Sequence, residues 1–355
     1  MEVNMVKWNI CLLTTKFLVT LRRERRRAAY IFASLAIFLA CFGFVLVSVS
    51  AQIKTKDDDT IKVETSLVWV PVSVKTRNGA GIAGLSKERF RVFENGIEQE
   101  IAHFETPGMP ITVALVIDMS DSAKISLGEM RGAASAFLNR LLPQDKALIV
   151  AFDRQTHKVI GATDDRDMLR LGLLGIKTGG GTALYDAVDT VVSSSFNGVS
   201  GRKAIILLTD GIDTSSVTAT FQTSAKAIAE ANIAVFPIQY KPEDTVQKRL
   251  SSENSGMGSP VYTTPSGESI AEAYVRGTRY LRLLADSSGG RFQLADSTKN
   301  LEAAFAQIAA ELRQQYYLGF YPEKAAPKPE KRKLKVTVNV PNARIDARDS
   351  YVARP

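Results

Sequence analysis

Apolar residues recur along this chain in two rhythms. Nearly uninterrupted runs at 111–118 (ITVALVID), 146–152 (KALIVAF), 204–209 (AIILLT) and 233–240 (IAVFPIQY) are rich in Val, Ile and Leu. Runs of that length and composition predict strands buried on both faces of a parallel sheet. Between them the apolar positions fall at helical spacing. In 126–142 these are Leu127, Met130, Ala134, Phe137, Leu138 and Leu141, with Pro143 as the stop. Helices are likewise predicted over 167–176, 184–196, 219–232, 270–285 and 300–315, with weaker strands over 157–162 and 290–294. Strand and helix alternating in this way imply an α/β fold, a doubly wound, mostly parallel sheet with helices on both faces.

The flanks have a different rhythm. Residues 61–76 (IKVETSLVWVPVSVKT) alternate and are Val-rich, which predicts one or two strands with Pro71 at an edge or a break. In 90–104 (FRVFENGIEQEIAHF), Asn95-Gly96 sits between alternating apolar residues and predicts a hairpin, because both residues tolerate positive φ. Strand character returns near the end in QYYLGFYP and LKVTVNV, separated by KAAPKPEKRK, which reads as an extended, solvated linker. These late strands are expected to pair with the early ones, giving a small, discontinuous β domain beside the wound sheet. Gly79, Gly81 and Gly84 spell G-x-G-x-x-G after a strand, but the adjoining LSKERF leaves at most one helical turn. A dinucleotide site needs a full βαβ unit there, so the stretch reads as a loop.

Composition changes the picture mainly at the start. The 355 residues carry a net charge of +8. Seven Lys and Arg against two Glu lie within residues 1–51, which leaves +3 for the remainder. The basic balance is therefore a targeting feature, and no nucleic-acid partner is expected. RRERRR at 22–27 precedes an apolar run over 28–49, about long enough to cross a bilayer. Positive charge on that side keeps it cytoplasmic and sends the rest of the chain across the membrane. Two fates fit: cleavage after Ala51, at a small-residue site of the A-x-A type, or retention as an inner-membrane anchor. Either way, the folded part is expected outside the cytoplasm, in a bacterial periplasm, cell envelope or secreted. Both cysteines, Cys11 and Cys41, fall in this leader, so no disulfide framework and no thiolate zinc site is expected beyond it. His103 and His157 lack metal spacing and read as surface or edge-strand residues.

Candidate chemistry sits where the first buried strand ends. Asp118, Ser120 and Ser122 form D-x-S-x-S at the strand's carboxyl end, the position at which open α/β sheets bind ligands. One carboxylate and two hydroxyls offer hard oxygen to a common point, which suits Mg²⁺ or Mn²⁺. Asp121, between the serines, adds negative charge. Two further stretches accompany this frame: TGGGTALYD at 178–186 and IILLTDG at 205–211.

In this order, the three segments resemble the metal-ion-dependent adhesion site of the von Willebrand factor type A domain. The resemblance implies that Ser120 and Ser122 bind the cation directly and that Thr182 and Asp210 complete the shell. It further implies that Asp118 and Asp210 act through water and that a partner protein's Asp or Glu carboxylate fills the open position. The implied cation is Mg²⁺, with Mn²⁺ or Ca²⁺ as alternatives. With the leader, the ENG hairpin and the closing QYYLGFYP, the whole is similar to bacterial secreted proteins carrying a von Willebrand factor A-related domain. The expected organisation is a leader (1–51), a linker (52–60), a small β module (61–106), the type A domain (107–315) and a closing β segment (316–355) packed on the early module. The polar stretch 240–269 leaves a strand's carboxyl end and is expected either to flank the site or to act as a spacer. Arg276, Arg279 and Arg282 recur at threes and read as a solvated helix face, with docking as the alternative.

The leading expectation is thus a non-enzymatic, extracytoplasmic module that captures a partner carboxylate through a divalent cation. A structural envelope protein with a metal-stabilised domain is the alternative. A hydrolase or phosphatase with Asp118 as nucleophile is disfavoured, because no acid stands two residues on and no G-x-S-x-G elbow occurs.

Overall fold

The computed structural model describes residues 67–120, 127–240, 264, 267–323 and 326–353. The expected leader with both cysteines, the expected linker at 52–60, Asp121 and Ser122 of the D-x-S-x-S frame, and most of the 240–269 stretch lie outside the described residues. Among the described residues no helix is long and apolar enough to cross a membrane.

Three sheets form among these residues. In chain order, β1 (Val68–Lys75), β2 (Phe90–Glu94), β3 (Ile97–Gln99) and β4 (His103–Glu105) precede the wound sheet. Then come β5 (Ile111–Asp118), α1 (Leu127–Leu138), β6 (Lys146–Phe152), β7 (Thr156–Thr163), α2 (Arg166–Gly175) and α3 (Leu184–Thr190), and after them β8 (Arg202–Thr209) and α4 (Phe221–Glu230). The domain closes with β9 (Ala234–Tyr240), α5 (Ile270–Ser288), β10 (Gln293–Ala295) and α6 (Thr298–Gln314).

The central sheet runs β10-β9-β8-β5-β6-β7, parallel throughout except for the antiparallel edge strand β7. Every residue of β5 is buried, because each face of the sheet has its own core. Val113, Leu115 and Ile117 pack with α1, α2 and α6 through Phe137, Leu173 and Phe305. Ala114 and Val116 face the opposite layer, with Leu184, Ile228 and Tyr280. This is the wound α/β class that the strand–helix alternation predicts. From β5 the chain steps one way to β6 and later returns on the other side as β8, so strand order reverses between β5 and β8. At such a reversal the loops diverge and leave a crevice at the carboxyl ends.

The remaining strands build a separate β unit. β11 (Tyr316–Phe320) pairs antiparallel with β1, and β12 (Glu330–Val338) with β2, while β13 (Arg344–Ala347) and β14 (Ser350–Ala353) complete the two four-stranded sheets. Their facing sides share a core of Val68, Val70, Val72, Val92, Tyr316, Leu318 and Phe320. Asn95 and Gly96 make the hairpin turn between β2 and β3 with φ of 48° and 89°. β1 is a single strand despite Pro71: pairing to β13 begins only at Val72, so the ring replaces no ladder donor. The supposed solvated linker is corrected at its end. β12 starts at Glu330, so Lys331, Arg332 and Lys333 lie in the sheet, because Arg332 turns inward to buried Glu94 at 3.2 Å. The glycine triplet at 79–84 is a loop, succeeded by the short 3₁₀ turn Lys87–Arg89.

Arg202, at the start of β8, is buried and donates to the carbonyls of Met109 (3.1 Å) and Leu312 (2.8 Å), with its guanidinium 4.3 Å from the Tyr317 ring centre. It therefore ties the entry of β5 to the end of α6 and to β11. Replacing it by Met keeps the volume and strands both carbonyls. Arg202→Met is expected to lower stability by about 2–3 kcal/mol, read by urea unfolding.

Candidate functional site

Three loops at the carboxyl end of the sheet close into a ring. The first extends from β5. Asp118 is 1% exposed, and its Oδ1 accepts from the Ser120 amide at 2.9 Å. Its Oδ2 accepts from the Thr209 hydroxyl at 2.6 Å, which joins the first loop to the third. The third loop opens with Asp210, whose Oδ1 accepts from the Ile212 amide, and Gly211 donates to Thr209 Oγ1. The second loop, 177–183, is bound to both neighbours. The Gly179 amide donates to the Met119 carbonyl at 2.8 Å, while the Thr182 carbonyl accepts from Thr214 and Ser215. Thr182 in turn donates its amide to Thr214 Oγ1 at 2.9 Å.

Glycine is required for this closeness. A Cβ at Gly179 would lie 1.9 Å from Asp153 Oδ2, and Gly181 combines φ of +77° with Ser215 Oγ at 2.5 Å from where its Cβ would stand. A threonine comes directly after Gly181, so its side chain is delivered to the ring at a point only a bare backbone could reach.

The structure therefore sets Asp118, Ser120 and Asp210 side by side at the strand-order reversal, with the Thr182 backbone tied to the loop that follows Asp210; Ser122 lies outside the described residues. Ser120 and Thr182 are 2% and 4% exposed, and the Ser120 side chain hydrogen-bonds Asp118. Burial, and next the charge of Asp210, push the Asp118 carboxyl up to about 7 from 3.8, against the lowering effect of the Thr209 and Ser120 hydrogen bonds. Two carboxylates that repel one another in a buried, hydroxyl-lined crevice are an arrangement that a hard cation would relieve, and the donor set fits one. Among the described residues no three His, Cys, Asp or Glu side chains cluster as a metal site by themselves, so the hydroxyls are essential to any such fit.

Sequence reasoning passes over Thr209, Thr214 and Asp153. Thr209 directly precedes Asp210 and is readable only as the last residue of an apolar strand. Nothing in local pattern marks Thr214 or Asp153, whose roles come from loops meeting in space. His157 is an edge-strand residue within 3.2 Å of Asp153, and His103 lies on β4. The arginine row is only partly solvated: Arg276 pairs with Glu268 at 2.7 Å and Arg282 covers the Phe292 ring, whereas Arg279 is exposed.

Residues 112–274 match the family model of the von Willebrand factor type A domain. The protein is similar to BatB from Bacteroides thetaiotaomicron at 18% identity, over 56% of this chain and 98% of that one, with a TM-score of 0.40. It is also similar to a von Willebrand factor type A protein from Catenulispora acidiphila (12% identity, 82% and 75% coverage, TM-score 0.44). A third similar structure is proximal thread matrix protein 1 from the mussel byssus with a zinc-occupied MIDAS motif (14%, 59% and 47%, TM-score 0.43). No curated protein matches the chain.

This geometry has two measurable outcomes. Asp118 binds its proton more tightly when folded than unfolded, so the metal-free protein should lose stability as pH rises from about 4 to about 7. Asp118→Asn removes the buried charge, and in chelator at pH 8 this variant should be more stable than the parent by about 1–3 kcal/mol in urea unfolding. The second outcome concerns Gly277 in α5, where a Cβ would stand 2.3 Å from the Gly211 carbonyl oxygen. Alanine favours a helix over glycine by about 1 kcal/mol, but the clash outweighs it. Gly277→Ala is expected to cost about 2 kcal/mol in thermal unfolding and to disturb the Asp210 loop.

Proposed function

We propose that this protein is an extracytoplasmic protein-binding module that captures a partner's Asp or Glu carboxylate through a divalent cation, Mg²⁺ in the first instance and Mn²⁺ or Ca²⁺ otherwise. The observation that supports this reading is the neighbouring pair of carboxylates, Asp118 and Asp210, with the Ser120 and Thr209 side chains on Asp118 and the Thr182 loop tied to the segment after Asp210. Asp118, Ser120, Thr182 and Asp210 would hold the cation, and Ser122 joins them by its place in the D-x-S-x-S frame alone. When bound, the cation supplies a Lewis-acidic position that an incoming carboxylate can share.

The chain's own residues prepare for that role. Thr209 and the Ser120 amide occupy both oxygens of Asp118, which orients the carboxylate and blunts it as a nucleophile. That engagement speaks for binding over the phosphatase alternative, which needs a free attacking oxygen. The Thr182–Thr214 contact fixes the hydroxyl-bearing loop against the Asp210 loop. The matched family supports an interaction module, and the basic flank and apolar run at 22–49 support placement outside the cytoplasm, with the membrane as a neighbour where that segment is retained.

Calorimetric titration of the full chain with Mg²⁺ and Mn²⁺ tests the reading. Asp118→Ala and Thr182→Ala are each expected to weaken cation binding by about tenfold or more while keeping the parent's far-ultraviolet circular dichroism. Equal affinity in the parent and both variants would remove the proposal.

A further inference from the structure

The second sheet of the β unit carries a charged surface that the metal-centred reading does not use. Along β12 the side chains alternate: Arg332 and Leu334 are buried, whereas Lys331, Lys333 and Lys335 are exposed. The three ammonium groups thus share one face and recur every second residue, about 6.8 Å apart along the strand. β12 pairs with β14 over Glu330–Lys333 and with β2 over Leu334–Val338, so the row crosses the point where one partner strand gives way to the other.

The cross-strand neighbours offer no neutralising charge. Lys331 stands opposite Val352, Lys333 opposite Ser350 and Lys335 opposite Phe93. On the far side of β2's face, Arg91 is taken by Glu98 at 2.6 Å. Among the described residues none of the three lysines has an acid within ion-pair distance. Like charges held in a row oppose folding slightly; Asp349 is the one acid lining the cleft and is not within ion-pair distance of the three lysines, so the row is open to an external partner. The row lines a cleft of about 930 Å³ whose walls are the Asn95–Gly96 turn and Asp349–Ser350, with half-buried Phe93 beside the lysines.

We infer that this cleft docks an extended, acidic polypeptide segment, whose alternate carboxylates meet Lys331, Lys333 and Lys335 in register. An extended chain presents its same-face side chains at the two-residue rise of the strand beneath it, so the two repeats coincide. A recess of this volume gives a flat lipid surface less contact than a chain that enters it. A single-stranded nucleic acid seeks a series of stacking rings, and the cleft has only Phe93. Phe93 instead gives apolar cover to the methylene or methyl groups between the acids.

The test uses the full chain, with chelator present so that the crevice at Asp118 makes no contribution. The probe is a fluorescent peptide of alternating Glu and Thr, read by anisotropy at low salt, against the parent and the triple variant Lys331→Gln, Lys333→Gln, Lys335→Gln. The parent should bind, and the triple variant should bind about tenfold more weakly, the order expected of three exposed ion pairs acting together. Unchanged thermal unfolding verifies that the variant is folded. A peptide of the same composition with its acids in one block should bind about threefold more weakly than the alternating one, since only part of it can keep register. Equal binding by parent and variant, or no preference for the alternating peptide, overturns the inference. So does lysine-dependent binding of phosphatidylglycerol vesicles or of an oligothymidylate that exceeds binding of the peptide.

Discussion

A carboxylate buried at the end of an almost wholly apolar strand is the constraint around which this domain is arranged. Burial of Asp118 costs free energy that the strand's own hydrophobic contacts cannot return, because an ionised carboxylate resists transfer from water. The surrounding loops answer that cost with donors. Thr209 reaches across from the neighbouring strand, Ser120 turns its amide back, and the glycine loop is admitted close enough to be tied to Met119. Each donor belongs to a different sequence segment. The ring therefore stands or falls as a unit, and the order of strands that brings β8 beside β5 is what makes it available.

Most of the architecture is legible because the hydrophobic pattern is strong where the chain is buried on both sides. The strands of the central sheet and its helices announce themselves by uninterrupted apolar runs and by spacing of three and four. Asn95-Gly96 announces the hairpin through its backbone preference. Less is legible where burial and polarity disagree. β12 looks like a solvated linker at its beginning because KRK is charged throughout. Its alternation, with arginine as the inward residue, becomes meaningful only with Glu94 beneath it. Pro71 looks like an interruption, and only the offset of β13 shows why it is none.

The crevice divides in the same way. Asp118 and Ser120 can be named from the end of the buried strand they occupy, whereas Thr182 and Asp210 are named through the resemblance of the three segments to the von Willebrand factor type A site. Thr209, Thr214 and Asp153 cannot be named either way, since their contribution is to hold other residues, and such support has no local spacing. The family match over 112–274 covers the wound sheet up to α5 but not the β unit. The lysine row of β12 accordingly lies beyond what the family likeness addresses.

The pairing of β1 with β11 has a consequence for how the molecule is assembled. The two strands are joined by some 240 residues of intervening chain, nearly all of it the wound sheet and its helices. Closing so long a loop before that insert has condensed is entropically unfavourable, whereas afterwards α6 delivers β11 directly to its place. The outer unit is then expected to fasten last, as a clasp over an inner domain that has already condensed.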